Sequence, residues 1–213
     1  MTTAPASDAQ FGHFQQLYAR DDDPWNVRAS WYEQRKRSVL LASLPRLRYE
    51  HAFEPACGTG ELTAALALRT ARLLAGDLSP QAVELTRRRL AEDGAGTAHV
   101  AVHCQRVPEQ WPDDTDFDLI VVSEMAYYLD ETAMLALRTR CAASLAPGGA
   151  LVLCHWRLPF GDRRLATELI HDTFDLTPGL RHVVRHVDEQ FLLDVWCAGV
   201  QPDGDQENTG SAP

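Results

Sequence analysis

Residues 51–78 read HAFEPACGTGELTAALALRTARLLAGDL, and this stretch decides the fold. An apolar run, 51–57, predicts a strand. Gly58 and Gly60 then make a turn, ELTAALALR (61–69) reads as a helix, and ARLLAGDL (71–78) reads as a second strand. Strand, glycine turn, helix and strand in that order are the unit of a parallel sheet. Downstream the alternation continues. Ser79-Pro80 supplies an N-cap and a proline at the first helical position, for a helix running to about Glu92. HVAVHC (99–104) is a third strand, and FDLIVVSE (117–124) is a continuous apolar run of the kind buried on both faces. Met134, Leu137, Cys141 and Leu145 fall at helical spacing within 131–145. Pro147-Gly148-Gly149 predicts a turn, ALVLCHW (150–156) a fifth strand, and 162–174 a helix. LRHVVRHV (180–187) and FLLDVWCA (191–198), three residues apart, predict an antiparallel hairpin. The fold expected is α/β: a doubly wound, mostly parallel, seven-stranded sheet ending in that hairpin.

Upstream, Ser30 with Glu33 three residues on fits a capping box. The helix it opens carries Arg35, Lys36 and Arg37, then Leu40, Leu41 and Leu44. Tyr18, Trp25, Trp31 and Tyr32 precede it around a turn-rich Asp-Asp-Asp-Pro segment. Such a segment suits an arm over a pocket and a packed N-terminal helix equally. The expected division is a disordered tail at 1–13, a helical lid or arm at 14–47, the main domain at 48–200, and a disordered tail at 201–213.

Composition sets the boundaries. The chain has 213 residues, is 45% hydrophobic and carries a formal net charge of −10. That is enough apolar content for a sizeable core. The acidic balance disfavours nucleic acid and anionic membranes, which select basic surfaces. No apolar run approaches the ~20 residues of a membrane span. MTTAPASDAQ lacks the charged and apolar regions of a signal peptide, so a cytoplasmic protein is expected. Five cysteines without a CxxC pair predict buried, reduced thiols rather than a zinc or disulfide site. Oligomeric state is not legible, the monomer being slightly favoured.

The chemistry centres on the glycine turn. Gly58 and Gly60 let a ligand approach the backbone, and the helix that follows offers free N–H groups. Asp77 ends the next strand seventeen residues beyond Gly60, where an acid accepts from ribose hydroxyls. Together they predict a nucleoside-containing cofactor. Thr63 stands where a dinucleotide fingerprint has its third glycine. Glu54 would repel a pyrophosphate and suits an α-ammonium group. Both points favour S-adenosylmethionine over a nicotinamide dinucleotide.

Glu54-x-x-Cys-Gly-Thr-Gly60, the Asp77 strand end, Phe117-Asp-Leu-Ile-Val-Val-Ser-Glu124 and Leu145-Ala-Pro-Gly-Gly-Ala-Leu-Val-Leu153 together resemble the class I S-adenosylmethionine-dependent methyltransferases. That resemblance covers residues 48–200. More narrowly, Asp23-Pro-Trp25, Ser30-x-Tyr32-Glu33, the Tyr127-Tyr128 pair and His155-Trp-Arg157 resemble the nodulation protein S (NodS) group, N-methyltransferases of chitooligosaccharide amines. The resemblance implies a cofactor set of Trp25, Glu54, Ala56, Gly58, Gly60, Asp77, Leu78, Arg106, Val107 and Ser123. Gly58 and Gly60 would lie against the methionine portion, Glu54 would hold its ammonium through water, Asp77 the ribose, and Leu78 the adenine. Two positions depart from the class. Ala56 replaces a usual glycine, and Arg106 replaces an aspartate that accepts from the adenine amino group. Arginine has no acceptor, so backbone groups near Arg106 and Val107 would read the base.

On the acceptor side, Glu124 and His155 end their strands and are the candidate catalytic groups. Tyr18, Tyr32, Tyr127, Tyr128 and Trp156 are candidate substrate contacts, though Tyr127 and Tyr128 also read as core. The alternative role for Glu124 is to cap the following turn or to contact cofactor. His99 with His103, and His182 with His186, each share a strand face; a solvated face is expected rather than a metal. The segment after the fourth strand, Ser123–Tyr128, is not the Asn/Asp-Pro-Pro-Tyr of DNA-adenine and glutamine methyltransferases. A small-molecule acceptor is therefore expected, its amine methylated to leave S-adenosylhomocysteine. The competing readings are a cofactor-binding but inert regulatory protein, suggested by Ala56 and Arg106, and a nicotinamide-dependent oxidoreductase.

Overall fold

The structure, a computed structural model, describes residues 6–92, 95–113 and 116–199. In chain order its elements are α1 (Ala6–Arg20), α2 (Trp31–Ser43), β1 (Tyr49–Glu54), α3 (Glu61–Ala67), β2 (Thr70–Asp77), α4 (Pro80–Glu92), β3 (Val100–Cys104), β4 (Phe117–Ser123), α5 (Glu131–Ser144), β5 (Leu145–Trp156), α6 (Thr167–Asp175), β6 (Leu180–Val187) and β7 (Phe191–Ala198). The seven strands form one sheet in the order β3-β2-β1-β4-β5-β7-β6. β1 to β5 run parallel, and the β6–β7 hairpin closes the sheet antiparallel to β5. This is the expected doubly wound architecture. Among the described residues no helix is long and apolar enough to cross a membrane.

The central strand shows why the apolar run reads as it does. Leu119, Ile120, Val121 and Val122 are all fully buried. Successive strand side chains point to opposite faces. Ile120 and Val122 therefore join a core with Leu137, Cys141, Ile170 and Phe174 from α5 and α6. Leu119 and Val121 join a second core with Leu40 of α2, Leu44 just after it and Leu66 of α3. Each such side chain contributes roughly 1.5–3 kcal/mol by leaving water, and both faces must be covered for the run to be stable.

Several expectations are corrected locally. Helix α1 begins at Ala6, so residues 6–13, expected as a tail, are helical. The expected tail at 201–213 and residues 1–5 lie outside the described residues. β1 stops at Glu54 because Pro55 has no N–H for the ladder. Pro147-Gly148-Gly149 is not a free turn. β5 starts at Leu145, and the register jumps from Phe117↔Leu145 to Leu119↔Ala150, so these residues bulge within the strand, Gly148 at φ +72°. Helix α6 starts at Thr167, five residues later than the pattern suggested. Ser30 does occupy the N-cap of α2, but its side chain makes no capping bond, and Glu33 turns elsewhere. Of the cysteines, Cys57, Cys141 and Cys154 are buried, Cys197 is half-buried and Cys104 is exposed. His182 and His186 are half-buried rather than fully solvated. Their rings stack on Trp196 and Phe191, with centroids 5.0 and 4.9 Å apart.

Candidate active site

The carboxyl ends of β1, β2, β4 and β5 open into one cavity of about 630 Å³. Its roof comes from α1, α2 and the segment between them, through Phe14, Leu17, Tyr18, Trp25, Tyr32 and Lys36. Ion pairs pin this cover, among them Arg28 to Glu61 of α3 at 3.3 Å and Arg35 to Asp188 of the β6–β7 turn at 2.5 Å.

The first end of the cavity is the glycine turn. Gly58 takes φ +55°, a conformation that disfavours any side chain, and its face toward the cavity is open except for the Tyr18 hydroxyl. The Gly58 N–H donates to Asp77 Oδ2 at 3.0 Å, and the Ser79 N–H donates to Asp77 Oδ1 at 2.9 Å. These bonds aim the carboxylate and leave lone pairs for further donors. Burial pushes the Asp77 carboxyl up to about 6. Glu54 is almost wholly buried, accepts from Thr63 Oγ1 at 2.7 Å, and is pushed by burial up to about 8. Thr63 is thus the partner of Glu54, a role that its place in a glycine motif does not announce.

Gly60 does not line the cavity. At φ +84° it faces α4, where an added Cβ would lie 2.9 Å from the Thr86 Cα. Its smallness serves helix–turn packing rather than ligand contact. Ala56, Leu78, Val107 and Ser123 line the cavity, and Trp25 lines it while staying partly exposed against the rings of Phe14 and Tyr18. Tyr18 sits at the glycine end, over Gly58, not at the acceptor end. The backbone N–H of Arg106 already donates to Gln110 Oε1 at 2.7 Å, so it is committed within the protein. Beside it lies Gln105, packed against Gly76, with a buried amide nitrogen that has no hydrogen-bond partner among the described residues. Thr59 Oγ1 and the Tyr32 hydroxyl are buried and unpartnered in the same way, and all three residues line this cavity. A buried polar atom without a partner is costly, so the wall is built for a polar ligand.

The second end is centred on Glu124, which ends the central strand at φ +55°. Its Oε1 accepts from the Lys36 ammonium at 2.6 Å. Its Oε2 accepts from the Tyr127 hydroxyl at 2.5 Å and from the Trp156 N–H at 3.1 Å. Lys36 is buried, also bonds Glu33 at 2.9 Å, and lies over the Tyr32 ring. Burial alone would lower its pKa, but the two carboxylates win and raise it. Tyr127 is held protonated by burial and by Glu124. Tyr128 and Trp156 complete the wall, Trp156 meeting Tyr32 edge-to-face at 4.8 Å. Lys36 and Glu33 were missed as site residues. Their (i, i+3) spacing was the signal, but it reads equally as surface pairing.

His155 is the main correction. It is fully buried and does not line the cavity. Nε2 accepts from the Ala126 N–H at 3.3 Å, and Nδ1 meets His171 Nε2 at 3.1 Å, so neither nitrogen reaches a ligand. Among the described residues no group of His, Cys, Asp and Glu is placed to hold a metal.

Comparison with known proteins follows the same lines. Residues 12–158 match the family described as Nodulation protein S (NodS). The nodulation protein S of Rhizobium tropici is 35% identical over 133 residues, 62% of this chain and 54% of that protein. That of Sinorhizobium fredii is 36% identical over 135 residues, 62% and 59% of the two chains. This chain therefore spans less than two thirds of the length of the curated relatives it matches. Among solved structures, N-methyltransferase NodS from Bradyrhizobium japonicum WM9 in complex with S-adenosyl-L-homocysteine is 25% identical with a TM-score of 0.75, covering 91% of this chain and 99% of that one. A methyltransferase candidate from Pseudomonas syringae is 42% identical with a TM-score of 0.68, covering 79% and 99%.

Proposed function

Given that the chain belongs to the nodulation protein S family, we propose that it is an S-adenosylmethionine-dependent methyltransferase that N-methylates a small-molecule amine. The observation that carries this reading is the single cavity joining the Gly58–Asp77 cradle to the Glu124 carboxylate. When bound, S-adenosylmethionine supplies an electrophilic methyl group.

The residues fit the cofactor. Gly58 leaves room for its methionine end, buried Glu54 suits the α-ammonium, and Asp77 has acceptor capacity for ribose hydroxyls. Leu78 and Val107 flank the base. The Gln105 amide carries both a donor and an acceptor, and so takes over what Arg106 lacks. The lining holds eight carboxylates against four basic side chains, which favours a cationic acceptor. Tyr32, Tyr128 and Trp156 exclude water around it. Three donors already occupy Glu124, so its remaining lone pair serves to anchor and orient the ammonium rather than to act as a free base. Segment 14–47 works as the cover that keeps the transfer dry.

A panel of primary amines and matched hydroxyl compounds incubated with isotopically labelled methyl donor tests the function. Label appearing in one or more amines is expected; label appearing only in the hydroxyl compounds would replace N- by O-methylation. Glu124→Gln keeps shape and removes charge. It should leave cofactor affinity nearly unchanged and lower kcat/KM for the amine at least ~10-fold, about 1.4 kcal/mol. An equal loss of cofactor affinity would move Glu124 to the cofactor set.

The buried acids give a pH signature. At pH 7 Glu54, raised to about 8, is mostly protonated in the free protein. An incoming α-ammonium favours its ionised form, so binding should release up to one proton. Below about pH 6 Asp77 also protonates, and affinity should fall by up to a further tenfold per pH unit beyond the Glu54 effect. Calorimetry of S-adenosylhomocysteine binding in buffers of different ionisation enthalpy reads the proton count. Zero release at pH 7 would contradict the Glu54 assignment.

A further inference from the structure

Four side chains behind the site form a buried chain that the methyl transfer described above does not use. Asp194 lies in the middle of β7, His171 in α6 and His155 near the end of β5, all fully buried. Asp194 Oδ2 meets His171 Nδ1 at 2.7 Å, His171 Nε2 meets His155 Nδ1 at 3.1 Å, and His155 Nε2 meets the Ala126 N–H at 3.3 Å. At the outer end, half-buried His182 of β6 reaches Asp194 Oδ1 at 2.6 Å. Ala126 opens the single helical turn Ala126–Tyr128, between Glu124 and Tyr127.

Donor and acceptor logic fixes the proton positions. The Ala126 N–H can only donate, so His155 Nε2 must be bare. A neutral His155 then carries its proton on Nδ1 and donates to His171 Nε2. That leaves His171 with its proton on Nδ1, donating to Asp194. Both imidazoles are held neutral, His155 by burial and then by His171, Lys36 and Arg163 around it, and His171 by burial against the opposing pull of Asp194. The whole chain thus ends as one directed acceptor on a backbone N–H. His171 and Asp194 lie beyond the residues 12–158 that match the family.

We propose that His155 is a positioning residue: backed by His171 and Asp194, it holds the Ala126 N–H and so sets the pose in which Glu124 and Tyr127 face the acceptor. The reason for a polar chain rather than an apolar plug is geometric. Glu124 sits at positive φ, which a non-glycine residue keeps only when its surroundings impose it. A fixed acceptor two residues downstream is one such constraint. The Arg164 N–H and Leu165 N–H, donating to the Tyr127 carbonyl at 2.8 and 3.2 Å, clamp the other end of the same turn.

The claim concerns the acceptor end only, and it rests on the methyltransferase reading for one of its readouts. That readout compares S-adenosylhomocysteine with sinefungin, a cofactor analogue carrying an ammonium group where the methylsulfonium stands. The ammonium probes the direction of Glu124. His155→Leu, which removes the acceptor at similar volume, should weaken sinefungin at least about 5-fold while S-adenosylhomocysteine binds as in the parent. His155→Gln, which returns an acceptor for Ala126, should restore most of the difference. Equal binding of both ligands to folded His155→Leu and parent overturns the proposal. So does an equal loss of both, since that is what a merely structural residue would cause.

Two measurements on the unliganded protein stand apart from cofactor binding. Exchange of the Ala126 amide should be protected in the parent and at least tenfold faster in His155→Leu. Nitrogen-15 spectra of the parent should show His155 and His171 neutral, with the proton on Nδ1, at pH 7. A His155 protonated on Nε2, or doubly protonated, overturns the chain even if the leucine variant does not fold. A parent that binds neither ligand would sink the methyltransferase reading, and these two measurements would then decide the positioning claim alone.

Discussion

Asp77→Ala should weaken S-adenosylhomocysteine binding at least about 100-fold while the protein stays folded. Two ribose hydroxyls donating to a charged acceptor account for ~1.5–3 kcal/mol each. The lower figure for both together is already about two decades in affinity. A second loss comes from the cradle. The Gly58 and Ser79 N–H groups, at 3.0 and 2.9 Å from the carboxylate, would lose their partner, and the glycine turn would lose its tie to β2. Asp77→Asn separates the two effects, since it keeps one acceptor oxygen and presents an amide nitrogen to a donor. Its affinity should lie between parent and alanine variant, and the extra weakening that sets in below about pH 6 should vanish, leaving only the slope due to Glu54. Calorimetry reads the affinity and thermal melting certifies the fold. Near-parental binding by a folded Asp77→Ala protein would remove Asp77 from the cofactor set.

Lys36→Met should carry the largest cost in stability, on the order of 3 kcal/mol. The methionine fills the space, but Glu33 and Glu124 then face each other without their shared cation. Removing one partner of a buried ion cluster typically costs about 3–5 kcal/mol. The low end applies because the two carboxylates are 13% and 26% exposed and keep some water. Burial already raises the Glu33 carboxyl. The deficit should therefore shrink as pH falls and Glu33 takes up a proton. Adding Glu124→Gln to Lys36→Met should recover part of the loss, because the uncompensated charge is what destabilises. Urea unfolding of the two single variants and the double variant gives the coupling directly. A Lys36→Met protein within 0.5 kcal/mol of the parent would show that water, not Lys36, balances the two carboxylates.

The cluster around Lys36 and the chain behind Ala126 share a reason for having escaped the sequence. Glu33-x-x-Lys36 on a helix looks like any surface pair, and only the docking of α2 beside β5 and β7 brings Glu124 to it. His155, at a strand end, looks like a group aimed at a ligand. β5 ends at Trp156, where the apolar run ends, but successive strand residues face opposite sides, and His155 falls on the side of the core. Trp156, the next residue, takes the cavity position instead. Gly60 was misjudged for a related reason. A glycine motif announces that no Cβ fits, but not whether a ligand or a neighbouring helix fills the space.

By itself, the sequence determined whatever depends on neighbours along the chain. The apolar runs at 71–78, 117–124 and 150–156, the glycine turn, the Ser79-Pro80 helix start and the terminal hairpin are local signals. Strand period, turn chemistry and capping act over a few residues, so the parallel sheet, its order of elements and the cradle of Glu54, Gly58 and Asp77 were legible. The tertiary structure alone decided what depends on residues far apart in the chain. It decided that Lys36 neutralises a carboxylate 88 residues away, that Thr63 serves Glu54, and that Gln105 lines the cavity with an unpartnered amide nitrogen among the described residues. It also decided that His155 answers to His171 and Asp194 instead of a substrate. Hydrogen bonds and ion pairs act over about 3 Å, so their partners are fixed only once packing has placed the elements, and no periodicity in the chain records that placement.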